Sequence, residues 1–204
     1  MSSLFPPKKH GKDICTATCI FLFFSGVCAQ NAPDYQFAAS SGTYTALSGA
    51  TTVTVSNADD GYYNGIPMGF NFIFGGVADY TDIHVSTNGW LTLGTSSSNN
   101  AISAGNTGST NNFTVPPLAV PIIAPLWDNN SLTSTTNISY ATSGTSPNRV
   151  TTVQYSNVKC TFNATSANIQ FQVKFYETTN VIRFVYQPLG EAIPPTGRPG
   201  CRSV

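Results

Sequence analysis

Residues 169–186 read IQFQVKFYETTNVIRFVY, two alternating runs joined by a short polar turn. Every second residue from Ile169 to Phe175 is apolar, and the residues between them are more polar. After the turn, Ile182, Phe184 and Tyr186 repeat the same period of two. This period is typical of strands with one buried face. The stretch therefore predicts a β-hairpin.

Similar short runs recur from Asp34 onward, separated by turn signals such as Gly75-Gly76 and Asn88-Gly89. No window after the first thirty residues has helical periodicity over three turns. The pattern predicts an all-β fold, an antiparallel β-sandwich that is jelly-roll-like or lectin-like. The predicted strands are Tyr35–Ala39, Thr43–Leu47, Thr51–Val55, Met68–Phe74, Thr81–Ser86, Trp90–Gly94, Val120–Trp127, Ile138–Thr142, Arg149–Ser156, Asn168–Tyr176 and Val181–Gln187.

The chain carries few charges. Charged residues make up 9% of it, against roughly 25% in an ordinary soluble domain. The formal net charge is zero, but residues 31–190 hold four basic and seven acidic side chains. Binding to a phosphate backbone requires a basic patch, so nucleic acid is not an expected partner.

The first residues have the pattern of a secretory signal peptide. Lys8, Lys9 and Lys12 precede an apolar run from Ile14 to Phe24, and Val27-Cys28-Ala29 offers a cleavage site. The run is shorter than the ~20 residues that span a bilayer. We therefore expect a secreted or cell-surface protein without a transmembrane helix after cleavage.

The predicted organisation is a signal peptide over residues 1–29, a β-sandwich domain over 34–190 and a Pro/Gly-rich tail over 191–204. Cleavage leaves Cys160 and Cys201, and two cysteines of an exported protein can pair. Because Cys201 lies in a tail without a strand pattern, the favoured interpretation of Cys160 is a small, unpaired, buried residue.

Residue types suited to catalysis are scarce. His10 leaves with the signal peptide, and His84 lies between two apolar strand residues, which predicts a solvent-facing side chain. The two glutamates are Glu177 in the hairpin turn and Glu191 in the tail. A glycosidase needs two carboxylates about 5–9.5 Å apart, and no spacing suggests a nucleophile triad. The sequence therefore predicts a protein that is not an enzyme.

Acidic and amide residues cluster in two loops, Asp59-Asp60-Gly61 and Asp128-Asn129-Asn130, and Asp79 lies near Asp82. Calcium binds six to eight oxygens and often takes them from such loops. Asp59, Asp60 and Asp128 are therefore the candidate ligands of a Ca²⁺ ion, and no other cofactor is expected. The alternative is that these residues only shape turns, since no EF-hand pattern is present.

Aromatic residues are the other candidate binding groups. Tyr62 and Tyr63 are predicted to stack on a ligand from a loop, whereas Trp90 and Trp127 are expected in the core. The polar stretch Thr95–Asn112 predicts a mobile loop, either a linker or a ligand-facing segment. The candidate ligand-binding residues are Asp60, Tyr62, Tyr63, Asp128, Asn129 and Asn130.

Four sequence segments, in this order along the chain, resemble a known module: IPMGFNF at 66–72, STNGWL at 86–91, IAPLWD at 123–128 and the hairpin at 171–186. Together they are similar to a β-sandwich module of bacterial exported multidomain surface proteins. Those proteins are associated with type IX secretion and often carry fibronectin type III repeats. A more distant resemblance is to the nidogen-type extracellular domain. Cys160 stands where the module tends to have an aromatic residue.

The resemblance implies a secreted β-sandwich that acts in adhesion or glycan contact, with no catalytic residues. The leading hypothesis is a non-enzymatic binding module, and its partners would be an extracellular glycan, a protein surface or other domains of a longer chain. The second hypothesis is a structural accessory or spacer domain. A glycan-active hydrolase is the least favoured alternative.

Overall fold

The computed structural model describes residues 35–76, 78–110, 120–167 and 169–188. Within these ranges the chain forms strands and no helix. The strands are β1 (Thr51–Val53), β2 (Tyr62–Phe74), β3 (Ala78–Ser86), β4 (Leu91–Gly94), β5 (Ile122–Ile123), β6 (Ser131–Leu132), β7 (Ile138–Ser143), β8 (Val150–Lys159), β9 (Ile169–Tyr176) and β10 (Ile182–Tyr186).

The strands form two antiparallel sheets. Sheet A has the order β1-β7-β8-β9-β10, with β6 also paired to β8, and sheet B has the order β2-β3-β4-β5. The predicted hairpin is β9–β10, in which Phe175 pairs with Ile182 and Val173 with Phe184. The all-β sandwich predicted from the alternation is confirmed.

The main core lies between the two sheets. Phe171, Val173 and Phe175 of β9 are fully buried, as their period of two predicts. Phe72 of β2 meets Phe175 edge to face, with ring centroids 5.3 Å apart. Burial of each such side chain contributes roughly 1.5–3 kcal/mol, so this face of the hairpin holds the sheets together.

Residues 35–50 form no strand, and residues 44–47 of this segment contact the outer face of sheet A. Gln172 donates from Nε2 to the Thr45 carbonyl at 2.7 Å and to Oε1 of Gln154 at 2.9 Å. The same Gln154 oxygen accepts from the Leu47 amide at 2.8 Å. The predicted strands Tyr35–Ala39 and Thr43–Leu47 were wrong, because glutamine side chains hold this segment in place of a backbone ladder.

The outer face of sheet B carries a second apolar cluster beneath residues 95–110. Trp90, Ile102 and Trp127 form its buried centre. Trp90 Nε1 donates to the Thr107 carbonyl and Trp127 Nε1 to the Gly108 carbonyl, each at 2.8 Å. Both tryptophans are buried as predicted. Residues 95–110 form no strand, and the two indoles and Ile102 hold the segment against the sheet. The mobility predicted for this stretch stays a prediction.

Cys160 directly follows β8 and is disulfide-bonded. The interpretation of Cys160 as an unpaired buried residue was therefore wrong. The other cysteines of the chain lie outside the described residues, as do the predicted signal peptide (1–29) and tail (191–204). Among the residues that the structure describes, no helix has the length and hydropathy needed to cross a membrane.

Candidate functional site

Three loops meet at one end of the sandwich, around the turn that joins β3 to β4. Within this turn the Gly89 amide donates to the Ser86 carbonyl at 3.2 Å, and Gly89 has φ of 77°. A Cβ atom at Gly89 would lie 2.0 Å from the Leu126 carbonyl oxygen. Glycine is required here by both the positive φ and the close approach of a neighbouring loop.

The loop before β2 binds one side of this turn. Asn88 Nδ2 donates to Oδ1 of Asp60 at 2.9 Å. The Thr87 amide donates to the Gly61 carbonyl at 2.9 Å, and the Thr87 hydroxyl donates to the Asp59 carbonyl. These bonds fix the Asp59-Asp60 pair against the end of β3.

The loop before β6 binds the other side. The Asn88 carbonyl accepts from the Asp128 amide at 3.2 Å and from Asn130 Nδ2 at 3.3 Å. Asn130 Nδ2 also donates to the Leu126 carbonyl at 2.6 Å. Asn88 thus joins the two acidic loops. We call this group the Asn88 junction; it consists of Asp59, Asp60, Asn88, Asp128, Asn129 and Asn130.

Two side-chain oxygens of the junction have no hydrogen-bond partner in the described part of the chain. They are Oδ1 of Asn88 and Oδ1 of Asn130, and both residues are fully buried. The amide nitrogens of the same side chains are all engaged, which fixes which atom of each carboxamide is the oxygen. Most buried polar atoms in native proteins are paired, so these two acceptors mark the junction as unusual.

The rim of the junction is acidic. Asp59 and Asp60 are exposed. Partial burial raises the pKa of Asp59, the neighbouring Asp60 carboxylate raises it further, and Lys159 opposes both. The carboxylate of Asp128 is occupied by its own loop, since Oδ1 accepts from the Asn129 amide at 2.7 Å.

The sequence predicted two of these loops but not the residue that joins them. Asn88 was interpreted only as part of a tight reversal, and its contacts at both loops are long-range ones that no local pattern reveals. The third loop considered, at Asp79, lies elsewhere: Asp79 pairs with Ile73 at the start of β3, and Asn88 follows the other end of that strand.

The two tyrosines also differ from the prediction. Tyr62 and Tyr63 lie in β2 and not in a loop, and both are half-buried. Tyr62 packs against the tryptophan cluster, whereas Tyr63 packs against the main core. Tyr62 is therefore the aromatic residue that links the junction to the outer face of sheet B.

The described residues contain no group of three His, Cys, Asp or Glu side chains placed to hold a metal ion. The predicted ligands Asp59, Asp60 and Asp128 belong to the same junction, but their carboxylates do not form such a group. Any cation at this place would need amide or backbone oxygens in addition to carboxylates.

His84 is fully buried, so the prediction of a solvent-facing side chain was wrong. Its Nδ1 accepts from the Gly65 amide at 3.1 Å, and its Nε2 lies 2.8 Å from the Asn99 carbonyl. The first bond requires a bare Nδ1, so Nε2 carries the proton and donates it. Nδ1 thus binds the neighbouring strand β2, whereas Nε2 holds the covering segment 95–110. Burial lowers the pKa of the ring.

Glu177 likewise has a structural partner. It accepts from Arg149 Nε at 2.8 Å and from Nη2 at 2.6 Å. The sequence predicted only that Glu177 shapes the hairpin turn. The structure adds a bidentate ion pair with Arg149.

A comparison with protein families places these observations in context. The model of the NIDO-related family matches residues 34–200, which include the whole sandwich. The chain belongs to the NIDO-related family. NIDO-related domains are extracellular, non-catalytic modules, and the predicted distant resemblance to the nidogen-type domain is confirmed. Neither the curated proteins nor the solved structures compared with the chain include a match.

Proposed function

We propose that this NIDO-related protein is a secreted or cell-surface binding module that contacts its partner through the Asn88 junction. The observation that carries the proposal is the double engagement of Asn88, whose side chain binds Asp60 and whose carbonyl binds Asp128 and Asn130. Asn88 thereby joins two polar loops into one surface at the end of the sandwich. Binding residues are commonly carried by loops that a rigid scaffold positions.

The chemistry of this surface suits a polar partner. Asp59 and Asp60 are exposed acceptors, and Asn129 is a half-buried amide at the same end. Tyr62 lies two positions after Asp60 and is half-buried. Carboxylates and amides hydrogen-bond to sugars, and an aromatic ring beside them stacks on the sugar ring. An extracellular glycan is therefore the first ligand class to test. The second is a protein surface that supplies hydrogen-bond donors.

A glycan array probed with the secreted chain tests this proposal, with and without Ca²⁺. The informative variants are Asp60→Ala and Asn129→Ala, and Asp79→Ala at the other end of β3 is the matched control. We expect the first two to lose glycan binding and the control to keep it. If the wild type binds no glycan on the array, the proposal that the ligand is a glycan is wrong. If all three variants lose glycan binding equally, the contact does not lie at the Asn88 junction.

A structural accessory role is the second candidate, and one observation favours it. Two apolar side chains are exposed near the turns β2–β3 and β9–β10: Ile73 is 40% exposed and Val181 46%. Asn180 Oδ1 accepts from the Ile73 amide at 2.9 Å, which brings the two turns together. If this surface packs on a neighbouring domain, hydrogen exchange at Ile73 and Val181 should be slower in a longer multidomain chain than in the isolated module.

A further inference from the structure

The chain leaves β10 at the end of sheet A where Cys160 forms its disulfide. The Gln187 amide donates to the Gln170 carbonyl at 3.0 Å, and Ile169, the residue before Gln170, pairs with Val158 of β8. Adjacent strands lie about 4.8 Å apart, so Gln187 lies roughly 10 Å from β8. Cys160 directly follows β8 and is disulfide-bonded, so the bond forms close to the point where β10 ends.

The sequence after β10 is long enough to return to Cys160. Cys201 is thirteen positions after Pro188, and it is the other cysteine left once the predicted signal peptide is removed. An extended chain of that length spans up to about 45 Å, several times the distance to be covered. A Cys160–Cys201 bond therefore holds both ends of the segment 189–200 at one end of the sandwich. The family match includes this segment, since it runs to residue 200.

Two exposed aromatic rings lie beside these two attachment points. Phe162, which follows Cys160 by two positions, is 52% exposed, and Tyr186, the last residue of β10, is 47% exposed. The Phe162 carbonyl accepts from Ser131 Oγ at 3.2 Å, and the Tyr186 hydroxyl donates to the Pro125 carbonyl at 2.6 Å. Both bonds reach β6 or the loop before it, so the rings belong to the end of the sandwich that carries the Asn88 junction.

The segment 189–200 has side chains that suit these rings. It contains Leu189, Ile193 and the adjacent Pro194 and Pro195. Proline-rich segments bind to surfaces lined by aromatic rings, and the fixed φ of proline lowers the entropy that is lost when such a segment becomes ordered. Contact between the prolines and the rings removes apolar surface from water on both sides.

The acidic rim of the Asn88 junction lies at the same place. Leu132 of β6 pairs with Val158 of β8, and the Leu132 amide donates to the Ala58 carbonyl at 2.7 Å. The exposed pair Asp59-Asp60 follows Ala58 directly. The two carboxylates are therefore held near the end of β8, where the disulfide is.

The residues around Cys201 carry the opposite charge. Arg202 is next to Cys201 and Arg198 is three positions before it, whereas Glu191 is the single acid in the sequence from 189 to 204. Exposed charges attract one another within a Debye length, about 8 Å at physiological salt. With Cys201 bonded at the end of β8, the long side chain of Arg202 comes within reach of the acidic rim.

We propose that the segment 189–202 docks on the end of the sandwich where β8 and β10 end. The disulfide anchors the segment, and its prolines pack on Phe162 and Tyr186. Arg202 pairs with the carboxylate of Asp59. The occupant of this surface is thus a part of the same chain. The inference concerns contacts within the chain, so it does not depend on the glycan or protein partner proposed above.

Hydrogen exchange of the full secreted chain, with its disulfide intact, provides the test. The reference is a synthetic peptide of residues 189–204, in which the same amides have no sandwich to bind. We expect the amides of residues 189–200 to exchange at least about tenfold more slowly in the protein than in the peptide. Sodium chloride at about 1 M should reduce this protection, because the Debye length falls to about 3 Å.

Two pairs of matched variants identify the contacts. Phe162→Ala removes one of the rings, and Phe37→Ala, at a ring that is 83% exposed in the segment before β1, is its control. Arg202→Gln removes the charge next to Cys201, and Arg183→Gln, at an exposed arginine of β10, is its control. We expect faster exchange of residues 189–200 in the first member of each pair and wild-type exchange in the second. Near-ultraviolet circular dichroism verifies that all four variants are folded.

Three results would overturn the proposal. The first is exchange in the wild-type segment that is as fast as in the peptide, since a tethered but undocked segment would behave in this way. The second is unchanged protection in both Phe162→Ala and Arg202→Gln. The third is protection that increases with protein concentration, which would show that a second copy of the chain, and not the same chain, supplies the segment.

Discussion

Arg149 and Glu177 join the two sheets at the end of the sandwich opposite the Asn88 junction. Arg149 donates from Nε and Nη2 to the Glu177 carboxylate, at 2.8 and 2.6 Å. The remaining nitrogen, Nη1, donates to the Gly69 carbonyl in sheet B, and the guanidinium carbon lies 5.5 Å from the centroid of the Phe70 ring. One side chain thus connects the β9–β10 turn to β2.

This ion pair predicts a pH dependence of stability at acid pH. Hydrogen bonds from Arg149 lower the pKa of Glu177 from 4.5 to about 2. Because the folded pKa is below the unfolded one, the contribution is fully present above pH 4.5 and is lost as the pH falls from 4.5 towards 2. Urea midpoints across this window should fall less steeply in Glu177→Gln than in the wild type. Parallel curves for the two proteins would contradict the prediction.

His84 predicts a second pH dependence, at higher pH. Burial lowers the pKa of the ring from 6.5, opposed by the Asn99 hydrogen bond and by the Asp82 carboxylate. The folded protein therefore favours the neutral ring. Its contribution is complete above pH 6.5 and declines as the pH falls below this value towards the lower folded pKa.

The measurement for His84 is the thermal midpoint between about pH 5 and 8, where an unperturbed histidine titrates. His84→Gln cannot gain a proton, so its midpoint should vary less across this range than that of the wild type. Protonation of Nδ1 also removes the acceptor of the Gly65 amide, so exchange of that amide should quicken as the wild type is acidified. A pH profile that the substitution leaves unchanged would show that another group titrates.

The places where the sequence failed have a common physical cause. Alternation correctly predicted Phe171, Val173 and Phe175, because their neighbours in the core are other strands of the same pattern. The same alternation predicted a solvent-facing His84, and it gave no sign that another segment would cover Gln172. Both are covered instead by segments without periodicity, residues 95–110 and 35–50.

These covering segments are held to the sheets by hydrogen bonds from individual side chains and backbone groups. Asn64 exchanges two hydrogen bonds with the backbone of Ile102, which is 38 residues away, at 2.9 and 3.0 Å. No spacing rule connects residues so far apart. The acidic loops of the candidate site could be predicted because Asp and Asn concentrate there, but the role of Asn88 between them depends on the final packing.

Gly89 predicts a sharp contrast between two glycine substitutions. Gly89→Ala places a methyl group 2.0 Å from the Leu126 carbonyl at a φ of +77°. A left-handed backbone costs a non-glycine residue roughly 1–2 kcal/mol, and forced overpacking adds roughly 1–3 kcal/mol. Gly105→Ala is the control, because a Cβ there meets nothing within 4 Å.

Chemical unfolding of both variants tests this contrast. We expect Gly89→Ala to lose about 2–5 kcal/mol and Gly105→Ala to stay within about 0.5 kcal/mol of the wild type. Equal stability of the two variants would mean that the β3–β4 turn tolerates a side chain. The three loops would then be less rigidly joined than the structure indicates.

The disulfide at Cys160 gives the last prediction. Cys160 is bonded, and removal of the predicted signal peptide leaves Cys201 as the other cysteine of the chain. We therefore expect a Cys160–Cys201 bond in the exported protein, closing a loop of about 40 residues; the chain-entropy model assigns such a loop a stabilisation of about 4 kcal/mol. A peptide map without reduction should contain the linked pair.

Serine variants test whether the Cys160–Cys201 bond contributes to stability. Cys160→Ser and Cys201→Ser should each lower the unfolding free energy by a similar amount, and the double variant should lose no more than either, because all three remove the same bond. An alkylated Cys160 in the unreduced protein would contradict the pairing, and so would a covalent dimer. A dimer would instead make the end of β8 a point of contact between two chains.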